Sequence, residues 1–168
     1  MLCVSPDNSK KLEQNQTDKP TSFLQKHGEL VIDALSTSHL DKKNFLVVLS
    51  QAFVGRRLLG APKSTDEAMR HIHLLSGRRH RIVTAIIFLY NSKVHKRIVE
   101  TCVQFKLLTP SEKSYYVENK LWHSEKVGSY DPLGYEGKWI KGIQGSASNL
   151  FGCPLYELNA LLKGAGLL

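Results

Sequence analysis

The densest apolar stretch of the chain runs from His80 to Tyr90, and it constrains the fold more than any other segment. Apolar residues occupy both alternating faces of this stretch, as in a strand that is buried on two sides. Thr84 interrupts the run, which is far shorter than a membrane-spanning helix. The stretch therefore predicts a central strand covered on both faces, and the sequence predicts no transmembrane helix.

Turn and capping residues divide the chain around this strand. Asn91 and Ser92 are turn formers, and the alternation that follows predicts a hairpin whose second strand runs from Val99 to Leu107. Thr109, Pro110 and Glu112 supply an N-cap hydroxyl, a proline and a capping-box carboxylate. The other predicted elements are helices over 22–35, 66–75, 110–119 and 154–164 and strands over 45–49 and 138–143.

These elements interleave strands with helices, which predicts an α/β or α+β sheet with at least one antiparallel hairpin. A length of 168 residues is typical of one domain, so we expect a single domain over 1–168. Residues 1–22 are polar and show no sustained period, so we expect a loosely ordered lead-in there.

The positive charge of the chain is regional. The formal net charge is +8, and residues 61–110 hold nine Lys/Arg against three acids, while residues 111–168 balance six against six. Such a region attracts the phosphates of a nucleotide or of a nucleic acid, or it is simply a solvated basic face. Nucleic acid is the least favoured partner, because the sequence has no recognition-helix or aromatic-platform signature.

The cysteines and the first residues bear on the compartment. Cys3, Cys102 and Cys153 have no metal-type spacing and leave an odd thiol if two of them pair. The first seven residues already include Ser5, Pro6 and Asp7, so the sequence predicts no signal peptide. We therefore expect a cytoplasmic protein.

Three polar or aromatic groups are candidates for ligand contact. Residues 76–81 hold three arginines between a helix and a strand, where they bind phosphate or compensate the helix end. Lys126, Gly128, Ser129 and Tyr130 form a cluster in which glycine allows a ligand close to the backbone. The third group is aromatic and comprises Trp122, Trp139, Tyr115 and Tyr116. These side chains stack on a base or pack in the core.

Two blocks of sequence carry a family resemblance. LLGAPKSTDEAMRHIHLLSGRRHRIVTAI resembles the L-G-K-P turn, helix, L-S-G-R and threonine-bearing strand of the Maf (septum-formation-inhibitor) family. EKVGSYDPLGYEGKWIKGIQGSASNLFGCPLYEL resembles that family's D-K-A-G-x-Y, I-Q-G and I-x-G-S-x-S-N-V-x-G-L-P-L. The blocks keep the family's order and spacing, and the match is clearest over 58–164.

The resemblance implies a fold and an activity. The fold would be a mixed, twisted β-sheet flanked by helices, of inosine-triphosphatase-like architecture. The activity would be hydrolysis of a nucleoside triphosphate to the monophosphate and pyrophosphate, assisted by Mg²⁺ or Mn²⁺. A homodimer is left open. The family pattern is matched at Arg78, Thr84, Lys126, Gly128 and Tyr130. The candidates for substrate binding are Ser5, Lys63, Arg78, Thr84, Lys126 and Ser129.

The sequence departs from the family at its catalytic positions. Asp7 and Asn8 stand where two phosphate-binding arginines are expected, Ala61 replaces the lysine of L-G-K-P, and Leu133 replaces a glutamine. Lys63 lies close enough to Ala61 to compensate in part. The window for the catalytic Asp reads Leu49, Ser50, Gln51 and contains no carboxylate.

These departures leave two functional hypotheses. In the first, the chain is an active or weakly active pyrophosphatase that acts on pyrimidine or modified nucleoside triphosphates, because it keeps the family's sequence blocks. In the second, it is a non-catalytic nucleotide-binding or interaction protein descended from such an enzyme. Loss of acid-base and electrostatic groups costs a hundredfold or more in rate, so we expect a slow or absent reaction.

Overall fold

A computed structural model of the chain describes residues 19–37, 44–123 and 126–168. Within these ranges, five strands form one sheet in the order β2-β1-β3-β4-β5. The strands are β1 Phe45–Val54, β2 Arg57–Leu59, β3 Arg79–Tyr90, β4 Lys93–Phe105 and β5 Ile140–Gln144. The central strand is β3, as its two-sided apolar pattern predicted. Ser5, Asp7 and Asn8 lie outside the described residues.

Helices surround this sheet. The α-helices of the described ranges are α1 Pro20–Thr37, α2 Thr65–Leu75, α3 Pro110–Glu118 and α4 Leu155–Gly164. Short 3-10 helices at 121–123, 135–139 and 147–151 occupy the glycine-rich part of the chain and its approach. None of the helices in the described part of the chain is long and apolar enough to cross a membrane. The predicted α/β architecture with flanking helices is confirmed.

The family resemblance implied a mixed sheet, in which parallel and antiparallel strand pairs both occur. Every strand pair among the described residues is antiparallel. The connections explain two of the four pairs: β1–β2 and β3–β4 are joined by two-residue turns, whereas a parallel pair needs a crossover of a dozen residues or more. Local hairpins therefore set the direction of these strands.

The β3–β4 hairpin is longer than the sequence indicated. Its turn is Asn91 and Ser92, as predicted, and both residues have positive φ angles, 48° and 62°. Such angles are those of a type I′ turn, whose twist matches the strands. The predicted start of β4 at Val99 was wrong, because the register fixed by this turn already pairs Lys93 with Tyr90. The strand ends at Phe105 rather than at Leu107.

The two faces of the sheet are buried by different helices. The face that carries Ala52, Ile82 and Val103 packs with α2 and α3 in the larger apolar cluster, and we call it the α2–α3 face. The opposite face carries Phe53, Val83 and Ala85, which pack with Leu24 of α1, and we call it the α1 face. Neighbouring residues of one strand alternate between these two faces.

Candidate functional site

Three segments that are distant in sequence meet beside the middle of β1. A Cβ added at Gly152 would lie 3.5 Å from Ser50 Cβ and 3.1 Å from Val127 Cγ2. A Cβ added at Gly128 would lie 3.2 Å from the Cβ of Ala52. These close approaches explain why glycine stands at both positions. They also bring the loop of residues 126–130, which we call the Lys126 loop, next to the window in which the family's catalytic Asp is expected.

The Lys126 loop also reaches the turn before α2. Ser129 Oγ donates to the carbonyl of Gly60 across 3.5 Å, a long contact. Residues 60–64 lead into α2, whose N-cap is Ser64. Ser129 is 2 % exposed, whereas Ala61 and Lys63 are exposed. The structure therefore brings Ser129 close to the turn that carries Lys63.

Two lysines supply positive charge around this place. Lys126 Nζ lies 3.8 Å from Asp131 Oδ2, and its side chain is 48 % exposed. A surface ion pair of this kind is weak, so a phosphate can compete for the lysine. The backbone N–H of Lys63 donates to Glu67 Oε2 at 2.8 Å, which fixes the turn and leaves the side chain exposed. Leu133, which follows Asp131 along the chain, is 82 % exposed.

Thr84 is the centre of a buried polar network. Its hydroxyl donates to Asn149 Oδ1 at 2.5 Å and lies 2.7 Å from the hydroxyl of Ser50, which must then be the donor. Asn149 Nδ2 donates to the carbonyl of Ile82 and to Thr101 Oγ1, both at 3.2 Å. Thr84 and Asn149 have no exposed surface. The network binds the 147–151 segment to β1, β3 and β4 and so fixes one wall of the site.

A buried histidine lies behind the Lys126 loop. His80 Nε2 shares a hydrogen bond of 2.9 Å with the hydroxyl of Tyr130, and Phe105 meets the imidazole edge to face at 4.9 Å. Burial lowers the pKa of His80 to about 4, so the ring is neutral at pH 7. Its Nδ1 atom has no hydrogen-bond partner among the described residues. His80 was not among the residues predicted to contribute to the site.

Arg78 lies away from the other candidates. It is exposed at the start of β3, where its carbonyl accepts from Phe105 N at 3.1 Å. Arg78 and Thr84 are six positions apart along an extended chain, which corresponds to about 20 Å. Its neighbour Gly77 has a φ of 71°, the left-handed conformation that ends α2. The position of Arg78 agrees with charge compensation at a helix end.

The window for the catalytic Asp divides between the two faces. Leu49 is half-buried and packs against the apolar cluster of the α1 face. Ser50 belongs to the polar network around Thr84, and Gln51 is half-buried. Among the residues that the structure describes, no group of three or more His, Cys, Asp or Glu is placed to hold a metal ion. The hydroxyl and amide groups around Thr84 are therefore a poor set of ligands for Mg²⁺.

Glu136 is a buried carboxyl group that was not among the residues predicted to contribute to the site. It is 2 % exposed, and burial, followed by the negative charge of Asp131, raises its pKa. A Cβ added at Gly134 would lie 3.3 Å from Glu136 Oε2 and 3.0 Å from Asp131 Cβ. An isolated Glu in a glycine-rich segment shows no period, so only the tertiary structure reveals its burial.

Most of the four aromatic candidates are buried core residues. Trp122, Trp139 and Tyr116 are buried, whereas Tyr115 is 43 % exposed and stacks on Tyr135 at 4.4 Å. Packing in the core, one of the two alternatives left by the sequence, therefore holds for three of them.

Comparison with known proteins agrees with the resemblance. The profile of the Maf family, described as Maf-like protein, matches residues 4–165. A dTTP/UTP pyrophosphatase of Rhizobium johnstonii is 41% identical over 114 residues, which cover 67% of this chain and 55% of that protein. A nucleoside triphosphate pyrophosphatase of Anaplasma marginale (strain Florida) is 34% identical over 162 residues, 96% of this chain and 81% of that protein.

A dTTP/UTP pyrophosphatase of Agrobacterium fabrum is 39% identical over 114 residues, again 67% of this chain and 55% of that protein. The chain thus spans about half the length of the dTTP/UTP pyrophosphatases that it matches. The shared part, rather than the whole of those proteins, is what the similarity describes.

Proposed function

The chain belongs to the Maf family, and we propose that it binds nucleoside triphosphates and splits them slowly into the monophosphate and pyrophosphate. The proposal covers ordinary and modified nucleotides of the ribo and deoxy series. Because relatives over two-thirds of the chain are named dTTP/UTP pyrophosphatases, dTTP and UTP are the first substrates to test.

One observation carries this proposal: the Lys126 loop converges on the Gly60 turn and on β1. Ser129 Oγ reaches the Gly60 carbonyl, and Gly128 packs on Ala52. Lys126 and Lys63 then lie on segments that border one place, and their ammonium groups would offset the charge of a triphosphate. Gly60 is exposed, and the lack of a side chain there lets phosphate oxygens approach the backbone closely.

Slow turnover follows from the window at Leu49. Attack by water on a phosphate needs a group that accepts the proton, and a carboxylate commonly fills this role. Leu49 has no such group and packs among apolar side chains. Loss of an acid-base group costs about a hundredfold or more in rate, so the expected turnover is low.

We include Mg²⁺ or Mn²⁺ in the proposal as a partner of the nucleotide. Phosphate oxygens are themselves good ligands for Mg²⁺, which usually keeps several waters and few protein ligands. The described residues around Thr84 do not form a carboxylate site, so we assign no chemical step to the metal. Assays with and without each cation measure its contribution.

Pyrophosphate release from a panel of nucleoside triphosphates tests the proposed function. We expect slow release with dTTP or UTP above a heat-treated control, and no release from any nucleotide would count against a pyrophosphatase. Lys126→Ala should weaken nucleotide binding. Lys141→Ala, which removes an exposed lysine of β5, is the matched control.

A non-catalytic nucleotide-binding protein is the second candidate, and the apolar packing of Leu49 favours it. Calorimetric titration with the same nucleotides separates the two functions. Binding without pyrophosphate release supports this second candidate, whereas the absence of both binding and release contradicts each of them.

A further inference from the structure

The Lys126 loop contains a strained residue. Gly128 and Ser129 both adopt left-handed backbone conformations, with φ angles of 79° and 60°. Glycine accepts this conformation readily, but a side chain at Ser129 brings Cβ close to its neighbouring carbonyl. Ser129 therefore needs interactions from the surrounding structure to stay in this conformation, and strained backbone of this kind is concentrated at functional sites.

The hydroxyl of Tyr116 supplies one such interaction. It donates to the carbonyl of Ser129 at 2.7 Å in a buried hydrogen bond. Burial raises the pKa of Tyr116, so the hydroxyl keeps its proton and remains a donor at neutral pH. The ring is held by α3 and meets Trp139 edge to face at 5.8 Å. Tyr116 is thus a rigid donor that approaches the loop from the core.

The residues beside Ser129 are held as well. The backbone N–H of Ser129 donates to the carbonyl of Lys126 at 2.9 Å, and the hydroxyl of Tyr130 bonds to His80. The conformation of Ser129 then directs its own Oγ to the Gly60 carbonyl. A change at Ser129 would consequently move the loop relative to the turn that carries Lys63.

We propose that Tyr116 is a positioning residue for the nucleotide: its hydroxyl holds Ser129 left-handed and so keeps the Lys126 loop in the conformation that binds the triphosphate. This inference rests on the proposed function, because it assigns the loop a nucleotide to bind. Tyr116 itself is buried and need not touch the ligand.

Tyr116→Phe removes only the hydroxyl, and Tyr115→Phe is the matched control on the same helix, since Tyr115 is 43 % exposed. Hydrogen exchange of the amides of residues 126–130 and calorimetry with dTTP or UTP and Mg²⁺ are measured on the full chain. In Tyr116→Phe we expect exchange of the loop amides to be about tenfold faster and Kd about tenfold higher, the effect of one buried hydrogen bond. Tyr115→Phe should change each by less than about twofold.

A second background separates positioning from a general loss of stability. Ser129→Gly removes the cost of the left-handed conformation, so the deficit of Tyr116→Phe in Kd should shrink in the Ser129→Gly background. An equal deficit in both backgrounds would show that Tyr116 does not act through the conformation of Ser129. That result would overturn the inference even if the thermal midpoint of Tyr116→Phe falls.

Binding measurements on the two proteins distinguish a failure of the role of Tyr116 from a failure of the proposed function. If the unmodified chain binds the nucleotide and Tyr116→Phe binds it equally well, the role of Tyr116 is overturned and the proposed function stands. If the unmodified chain binds no nucleotide, the proposed function is overturned together with the role of Tyr116 in binding. Faster exchange in Tyr116→Phe would then describe only the order of the loop.

Discussion

The two faces of the sheet differ in what surrounds them. The α2–α3 face carries a large apolar cluster and the polar network in which Thr84 and Asn149 join four segments of the chain. The α1 face carries a smaller apolar cluster, and Leu49 packs there. The scaffold that positions the Lys126 loop therefore lies on the α2–α3 face. Ser50 is the residue of the window for the catalytic Asp that shares this face, whereas Leu49 points away from the loop.

The network of the α2–α3 face should give the largest effect on stability. Asn149→Leu keeps the size of the side chain but removes three buried hydrogen bonds, to Thr84, Ile82 and Thr101. We expect a loss of about 3 kcal/mol or more in the free energy of unfolding, because each partner left without a hydrogen bond costs about 1–3 kcal/mol. Urea denaturation measures this loss.

Asn119→Leu is the control for that experiment. Asn119 is exposed at the end of α3, and its side-chain amide donates to the carbonyl of Tyr115. We expect a cost below about 1 kcal/mol there. Equal losses for the two variants would mean that the network of the α2–α3 face is not what stabilises the sheet.

The buried histidine of the same face should make stability depend on pH. The pKa of His80 is about 4 in the folded chain, against 6.5 in the unfolded chain. Neutral His80 thus contributes its full stability above pH 6.5, and this contribution is lost as the pH falls towards 4, because only the unfolded chain takes up the proton. The loss between pH 7 and pH 5 should be about 2 kcal/mol.

Unfolding of the chain and of His80→Gln at both pH values isolates this contribution. Other titrating groups act equally in the two proteins, so their difference in pH dependence belongs to His80. If His80→Gln loses as much stability as the unmodified chain between pH 7 and pH 5, burial of His80 is not the cause.

The window for the catalytic Asp should respond in rate. Ser50 is the window residue on the same face as Thr84 and the Lys126 loop. Ser50→Asp places a carboxylate there, and we expect pyrophosphate release to rise about tenfold, equivalent to about 1.4 kcal/mol of transition-state stabilisation. The gain is limited because Ala61 and Leu133 still differ from the family pattern. Ser50→Asn has the same shape without the charge and should give no gain, and a gain of equal size in both variants would exclude the carboxylate as its cause.

The smallest expected effect lies at the start of α3. The side chain of Thr109 accepts from Glu112 N, and Glu112 Oε2 accepts from Thr109 N at 2.9 Å, the two bonds of a capping box. Thr109→Ala should therefore cost about 1 kcal/mol in thermal or urea unfolding. Ser111→Ala, in the same turn, should cost less, and the reverse order would show that the cap contributes little.

That capping box also shows what could be predicted from the sequence. Thr109, Pro110 and Glu112 are neighbours, so the start of α3 follows from local chemistry, and the Asn91–Ser92 turn is equally local. The pairing of strands that are distant in sequence is not local and was predicted less well. The strand predicted over 45–49 continues to Val54 because β3 pairs with it beyond Ser50.

The candidate site was less predictable than the fold. Thr84 and Lys126 were selected through the family resemblance, but the partner of Thr84 is Asn149, 65 positions further along the chain. No local sequence pattern predicts a contact between residues so far apart. The hydroxyl of Tyr116 on Ser129 and the burial of His80 depend in the same way on how α3 and β3 pack against the loop.

The rate of pyrophosphate release at saturating dTTP or UTP with Mg²⁺ tests the central claim most directly. Typical enzymes turn over at about 1–1000 s⁻¹, so a hundredfold loss from a median near 10 s⁻¹ gives about 0.1 s⁻¹ or less. We predict a rate at or below this value in a chain that calorimetry shows to be saturated with nucleotide. Turnover of about 10 s⁻¹ or more by the unmodified chain would contradict the claim that its catalytic window is deficient.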